Sequence, residues 1–194
     1  MLSVARSDQF PADTGSEIAM AGRSNAGKSS ALNAIAERKS LARVSKTPGR
    51  TRLLNYFDLG AGRRIVDLPG YGYAAVTNDE RRLWAPLLNA LRNRVSLRGL
   101  VVIVDSRRGV AAEDLELIAW ADPARCRVHV LLAKTDKLKR TEAAQALRSA
   151  RAKLDQRVSV QAFSAHDGTG VREAQEVLHE LFSRRTPMVL QPPG

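Results

Sequence analysis

The chain has 194 residues, 44% of them hydrophobic, which suits one domain with a substantial buried core. No apolar run approaches the roughly 18 residues of a membrane span, and the single cysteine, Cys126, excludes an internal disulfide or a cysteine-based zinc site. Lys and Arg number 31 against 20 Asp and Glu, and this excess of 11 suits a chain that works against a polyanion.

Met1 to Thr14 mixes charges, a proline and polar residues, so it does not read as a secretory signal. Residues 1–16 are expected to be an N-terminal extension, 17–185 the single domain, and the proline-containing 186–194 a loose tail. Glu17-Ile18-Ala19-Met20-Ala21 predicts a short buried strand and Ser30 to Ala36 a helix. Between Glu37 and Asp58 there is no acidic residue, while Arg38, Lys39, Arg43, Lys46, Arg50 and Arg52 are present. Further basic clusters stand at Arg63-Arg64, Arg81-Arg82, Arg92/Arg94/Arg98 and Arg107-Arg108.

Leu53 to Leu59 and Arg64 to Asp67 flank Gly60-Ala61-Gly62 and predict a hairpin. A helical pattern runs from about Asp79 to Arg94, capped by Asn78 or Asp79, with a kink or a delayed start expected at Pro86. Leu100 to Asp105 and Val128 to Ala133 are continuous apolar runs of the kind buried in a parallel sheet. Helices are expected over 112–121, 141–154 and 171–182, with a last strand over 158–163. Alternating strands and helices predict a three-layer α/β/α fold: a mainly parallel six-stranded sheet with one antiparallel edge strand. His129 is expected in the core and His166 in an exposed loop. Trp120 is expected to pack, and Trp84 either packs or moves with a bound ligand.

Five loops carry the chemistry. Gly22-Arg23-Ser24-Asn25-Ala26-Gly27-Lys28-Ser29 matches G-x-x-x-x-G-K-[ST], the phosphate loop, between a predicted strand and helix. Its glycines let successive backbone N–H groups face an anion, Lys28 adds charge at the β and γ oxygens, and the Ser29 hydroxyl suits Mg²⁺. Asp67-Leu68-Pro69-Gly70 ends a strand one hairpin later, where a carboxylate can hold Mg²⁺ through water and the Gly70 N–H can sense a γ-phosphate. In Lys46-Thr47-Pro48-Gly49-Arg50-Thr51, Thr51 is the candidate to close over the nucleotide and reach Mg²⁺, with Thr47 the alternative. Ala133-Lys134-Thr135-Asp136 places a carboxylate that can accept from the N1–H and exocyclic amine of guanine, with the Lys134 stem over the purine. Phe163-Ser164-Ala165 offers a backbone N–H toward the guanine oxygen. All five follow strand carboxyl ends, where ligands bind in open α/β sheets.

In this order the loops resemble the translation-factor-type GTPases. Gly22–Ser30, Thr47–Arg52 and Asp67-Leu68-Pro69-Gly70-Tyr71-Gly72-Tyr73 resemble the EngB (YihA/YsxC) family of bacterial ribosome-assembly GTPases, in the TrmE-Era-EngA-EngB-septin-like class, over nearly the whole chain. The resemblance implies binding of GTP and GDP with Mg²⁺, GTP hydrolysis, maturation of the large ribosomal subunit and a link to normal cell division and septation. The basic surface would then meet rRNA, in the cytoplasm, with no membrane and as a monomer.

Two departures stand out. Ala133 replaces the Asn or Thr that in relatives ties this loop to the phosphate loop, and Ser164-Ala165 replaces a double serine. Tyr71 occupies the place where many GTPases carry a water-orienting glutamine, so slow intrinsic turnover is expected, with Lys28, Thr51 and Gly70 left as the catalytic set. Asn25 is either a potassium ligand, as in related GTPases, or a turn residue. Rival readings are a basic RNA-binding module whose nucleotide is structural, a P-loop kinase or ATPase, and a membrane-associated GTPase.

Overall fold

Strands whose alternate residues are all apolar must be covered on both sides, and this chain builds such a sheet. The computed structural model describes residues 1–37, 53–71, 78–122 and 126–183, with the backbone alone for 78–84. Its strands are β1 (Leu2–Val4), β2 (Ser16–Gly22), β3 (Leu54–Gly60), β4 (Arg63–Asp67), β5 (Leu97–Asp105), β6 (Arg127–Ala133) and β7 (Ser159–Ala162). They align as β1-β3-β4-β2-β5-β6-β7. Strands β4, β2, β5, β6 and β7 run parallel, and β3 runs against both of its neighbours. The expected mainly parallel sheet is present, with one strand more among the described residues than the six expected. β1 pairs outside β3, so the reversed strand lies second from the edge.

Among the described residues five helices cover the sheet: α1 (Lys28–Ile35), α2 (Asn78–Arg92), α3 (Ala112–Ala121), α4 (Arg140–Lys153) and α5 (Val171–Ser183). Ile18 and Met20 of β2, with Val101 and Ile103 of β5, face α1 and α5 through Leu32, Ile35, Leu178 and Leu181. Ala19 and Ala21, with Leu100, Val102 and Val104, face the other layer, where Leu87, Leu91 and Ile118 pack. Period-two alternation on central strands thus gives the three layers. The delayed start expected at Pro86 does not occur, because α2 begins at Asn78 and runs through the proline. Cys126 is buried just before β6, and burial pushes its thiol up to about 12, which leaves it inert.

The arginine clusters are not all turned to solvent. Glu17, fully buried at the start of β2, accepts from Arg64 Nε at 2.9 Å and from Arg94 Nε and Nη2 at 2.7 and 2.9 Å. Arg94 also donates to the carbonyls of Pro11 and Ala12, at 2.9 and 3.1 Å, and stacks 5.2 Å from the Phe10 ring centroid. Asp13 caps the turn before β5, accepting from Val95 N–H, Ser96 N–H and Ser96 Oγ at 3.0, 2.9 and 2.6 Å. Residues 1–16 are therefore stitched to the sheet by β1 pairing and this ion network. Two arginines that composition assigns to a polyanion instead hold the fold together.

Candidate functional site

The phosphate loop begins where β2 ends. A Cβ at Gly22 would stand 2.8 Å from the Ile103 carbonyl oxygen, so the tight passage beside β5 requires glycine. Gly27 at φ +107° turns the chain into α1, a conformation that L side chains rarely adopt. The first backbone bond from within this turn is Ala31 N–H to Gly27 O at 2.9 Å. The N–H groups of Lys28, Ser29 and Ser30 are therefore the outward donors of the helix end, where the dipole favours an anion. Ala26 N–H closes on Arg23 O at 2.9 Å, which fixes the loop's curve.

The second loop is laced to the first. Leu68 N–H donates to Met20 O at 2.9 Å, Ser24 N–H donates to Tyr71 O at 3.1 Å, and Arg23 bridges Tyr71 in parallel fashion. These bonds carry the β2–β4 pairing past the sheet edge and set Asp67, Leu68, Pro69 and Gly70 beside the phosphate loop. Lys28 Nζ donates to the Asp67 carboxylate, and both side chains are nearly buried. Burial pushes the Asp67 carboxyl above its usual range, and the Lys28 charge only partly opposes that.

These residues fit a magnesium–phosphate pair. Ser29 hydroxyl and Asp67 carboxylate are hard oxygen donors of the kind Mg²⁺ takes while keeping most of its water. Lys28 offers a charge that phosphate oxygens can take over from Asp67. Thr47, Gly49, Arg50 and Thr51 lie outside the described residues, as does the Trp84 side chain.

The Tyr71 side chain is committed to α3. Its hydroxyl donates to Asp114 Oδ1 at 2.7 Å, while Asp114 Oδ2 accepts from Ala111 N–H at 2.8 Å and caps α3. Burial, with Asp114 adjacent, raises the phenol far above its ordinary pKa, so it stays a neutral donor. This side chain ties the second loop to α3 and is held as a structural strut.

The base-side loops are already wired. Lys134 sits at φ +63°, and its Nζ donates to Asn25 O at 2.5 Å and to Asp105 Oδ2 at 3.1 Å. The tie that Ala133 cannot make is thus made by the next residue, directly to the phosphate loop. Asp105, at the end of β5, also accepts from Arg107 Nε and Nη2 at 2.9 and 2.6 Å. Burial would raise the Asp105 carboxyl, but hydrogen bonds from Arg107 and Lys134 outweigh it and hold it well below the carboxylate range. Sequence reading passed over Asp105. Its signal was an acidic residue at the carboxyl end of a central apolar strand, beside the other loops.

Asp136 Oδ1 accepts from Ser164 Oγ at 2.8 Å, which lowers its pKa and keeps it an acceptor. The buried Ser164 is in turn set by His166 and Asp167 N–H groups at 3.2 and 3.3 Å. Thr135 Oγ1 donates to Phe163 O at 3.0 Å, and that bond joins the two base loops. Phe163 is buried beneath them and Ala165 is exposed above. Asn25 occupies the left-handed region at φ +63°, as turn asparagines do. His129 lies buried between Ser159 Oγ at 2.8 Å and Gln161 Oε1 at 2.9 Å, and burial pushes it down to about 4. It belongs to the core, far from this edge. His166 is exposed, and Trp120 packs against the core.

A phosphate loop, a D-x-x-G loop and a K-x-D loop gathered on the carboxyl edge of one parallel sheet define a P-loop GTPase. A family model described as a 50S ribosome-binding GTPase matches residues 17–134. The chain is 50% identical over 182 residues to the probable GTP-binding protein EngB of Azoarcus sp. (strain BH72), covering 91% of this chain and 87% of that protein. It is 46% identical over 186 residues to the protein of the same name from Coxiella burnetii, covering 94% and 91%. Among solved structures, a probable GTP-binding protein engB superposes with a TM-score of 0.66 at 22% identity, covering 88% of this chain and 100% of that one. Era in complex with MgGDPNP and nucleotides 1506–1542 of 16S ribosomal RNA gives a TM-score of 0.65 at 21% identity, covering 91% and 59%. The chain belongs to the EngB family of GTP-binding proteins, and it is a GTPase.

Proposed function

We propose that this GTPase is a nucleotide-gated assembly factor for the large ribosomal subunit, acting on rRNA through its basic surface, and that normal cell division and septation depend on it. One observation carries the reading: a model described as a 50S ribosome-binding GTPase spans the phosphate and D-x-x-G loops and runs as far as Lys134, on a chain with 11 excess positive charges. The Era complex with ribosomal RNA supports it by analogy of fold. Among the described residues no helix is long and apolar enough to cross a membrane. The working unit is a cytoplasmic monomer, with 17–185 as the GTPase domain flanked by 1–16 and 186–194.

At the site, the backbone of Gly22 to Ser30 cradles the phosphates and Lys28 neutralises the β and γ oxygens. Ser29, Thr51 and, through water, Asp67 hold Mg²⁺, which offsets the charge on the phosphate oxygens when it is bound. Gly49, Arg50 and Thr51 close over GTP, and the Gly70 N–H senses its γ-phosphate. Ala133, Lys134, Thr135 and Asp136 form the guanine clamp, with Phe163, Ser164 and Ala165 behind it. GTP draws the Thr51 and Gly70 segments together and hydrolysis releases them.

Because Tyr71 is committed to Asp114, no side chain at that position orients the attacking water. Intrinsic turnover is therefore slow, and the ribosomal partner or a cation accelerates it. Asn25 is a candidate potassium ligand beside its role as a turn residue, and a turnover identical in potassium and sodium chloride removes the potassium role. The reading itself is tested by co-sedimentation with purified large and small subunits, in apo, GDP and non-hydrolysable GTP states. Binding to the large subunit with the GTP analogue alone is expected. Equal binding in all three states makes the nucleotide a structural ligand of an RNA-binding module, and binding to neither subunit overturns the ribosomal role.

A further inference from the structure

The excess positive charge of the chain is not spread evenly over its folded surface. Several arginine clusters are consumed internally: Arg64 and Arg94 on Glu17, Arg98 on the Gly15 carbonyl at 3.2 Å, and Arg107 on Asp105. Of the helices that flank the carboxyl half of the sheet, α3 carries Glu113, Asp114 and Glu116 and no cation. Helix α5 carries Arg172 against Glu173, Glu176 and Glu180. Helix α4 reverses the balance, with Arg140, Arg148, Arg151 and Lys153 against Glu142 alone. That one acid accepts the Lys139 N–H at 2.8 Å and so serves as the helix's own cap.

Position on the helix sharpens the contrast. At about 100° per residue, Arg140, Ala144, Arg148 and Arg151 fall within roughly 80° of arc, and all four are exposed. Leu147 and Leu154 pack against the core beside them and Ala150 is buried, which fixes the helix's orientation. The strip runs about 16 Å from Arg140 to Arg151. Lys137 and Lys139, both exposed, lead into it from the base loop. A helix face that is merely solvated mixes charges of both signs, as α5 does. Planar guanidinium forks spaced along a rod suit a row of phosphates.

We infer that this flank of α4, entered through Lys137 and Lys139, is the face that grips the phosphate backbone of RNA. The inference takes RNA as the polyanion from the ribosomal reading above, and the choice of face stands on charge and exposure. Anionic lipid suits the strip poorly, because none of the exposed residues of α4 has a large apolar side chain to enter a bilayer.

The test compares wild type with a variant carrying Arg140→Gln, Arg148→Gln and Arg151→Gln. A control carrying Arg6→Gln, Arg127→Gln and Arg172→Gln loses the same charge elsewhere. Binding to a fluorescent 20-base-pair RNA duplex is followed from about 50 to 200 mM salt, beside sedimentation with large subunits and with phosphatidylglycerol vesicles. Each phosphate contact contributes a log–log slope of about 0.9, so three lost contacts make wild-type affinity fall about 40-fold more across that range than the α4 variant's does. Both variants are expected to keep wild-type melting temperature and GDP affinity.

A control variant that loses as much slope as the α4 variant overturns the inference, as does an α4 variant that binds duplex and large subunit like wild type. Loss of vesicle binding with duplex binding intact overturns it in favour of lipid. If wild type binds neither subunit, the ribosomal reading fails, while the duplex arm still decides whether α4 is the phosphate face.

Discussion

Glu17 and Asp67 are buried carboxylates at opposite ends of the same pair of parallel strands, and each faces a cation. Glu17, at the amino end of β2, takes three N–H bonds from two guanidiniums. Arg64 Nη2 also reaches the Ala12 and Thr14 carbonyls and Arg94 Nη2 that of Pro11, so each guanidinium is held at several points. That network is closed. Asp67, at the carboxyl end of β4, accepts from the single flexible ammonium of Lys28. A compact ammonium can pass from a carboxylate to a phosphate without rebuilding its surroundings, whereas a guanidinium locked by several bonds cannot. One end of the sheet is therefore built to stay and the other to exchange partners.

The largest effect should come from breaking the closed end. Glu17→Ala leaves Arg64 and Arg94 inside without their carboxylate, which should cost about 3–5 kcal/mol. A fall in melting temperature of roughly 10 °C or more is expected by calorimetry. The folded fraction should keep its GDP affinity, because Glu17 does not touch the site. A Glu17→Ala variant with wild-type melting would show that the network is open after all. At the exchanging end, Lys28→Ala should do the reverse. Loss of one charge-assisted contact to phosphate should weaken GTP and GDP binding about 100-fold, measured with a fluorescent analogue. Apo stability should change far less than in the Glu17 variant.

Which arginines serve which end was not legible in sequence. Arg64 and Arg94 look like members of basic clusters, because their partner Glu17 is 47 and 77 residues away and side-chain direction is set by strand register. β1 was missed for a related reason: three residues carry no readable period, and Leu2–Val4 becomes a strand only by pairing with β3. The phosphate, D-x-x-G and K-x-D loops were legible because their chemistry resides in local spacing that backbone geometry demands. Pro86 argues for a kink or a delayed start, and the apolar face of α2, through Leu87 and Leu91, overrides the delayed start. Asp105 stayed hidden because nothing local distinguishes a strand-ending aspartate that steers a neighbouring loop from one that merely caps a turn.

Asp105 joins the two kinds of behaviour, being fixed like Glu17 on the Arg107 side and connected to the site through Lys134. Asp105→Asn should weaken GDP and GTP binding about tenfold, through faster release, since one charged partner of a half-exposed lysine is lost. On a Lys134→Ala background the same change should cost almost nothing, because the effect runs through that lysine. The preference for GDP over IDP should hold, since in the proposed clamp it is Asp136, not Lys134, that reads the exocyclic amine. Additive losses in the double variant would separate Asp105 from the guanine clamp.

The smallest predicted effect is also the one whose sign most directly divides the two carboxylates. Burial raises the folded-state pKa of Asp67 above its ordinary value, so ionising it disfavours folding. Its contribution to stability is fully present below the unfolded carboxylate pKa of about 3.8 and is lost as pH rises through the raised folded value. An uncharged amide of the same shape escapes that loss. Asp67→Asn should therefore leave the apo protein as stable as wild type at pH 7 or more stable by about 0.5 kcal/mol, as removal of a strained functional group commonly does. The advantage should shrink as pH falls toward 4, read as the difference in melting temperature between the two proteins. Glu17→Gln, in the same scans, should be destabilised at neutral pH. Were Asp67→Asn to lose as much stability as Glu17→Gln at pH 7, the carboxyl end would be as closed as the amino end, and the division between a fixed and an exchanging edge would fail.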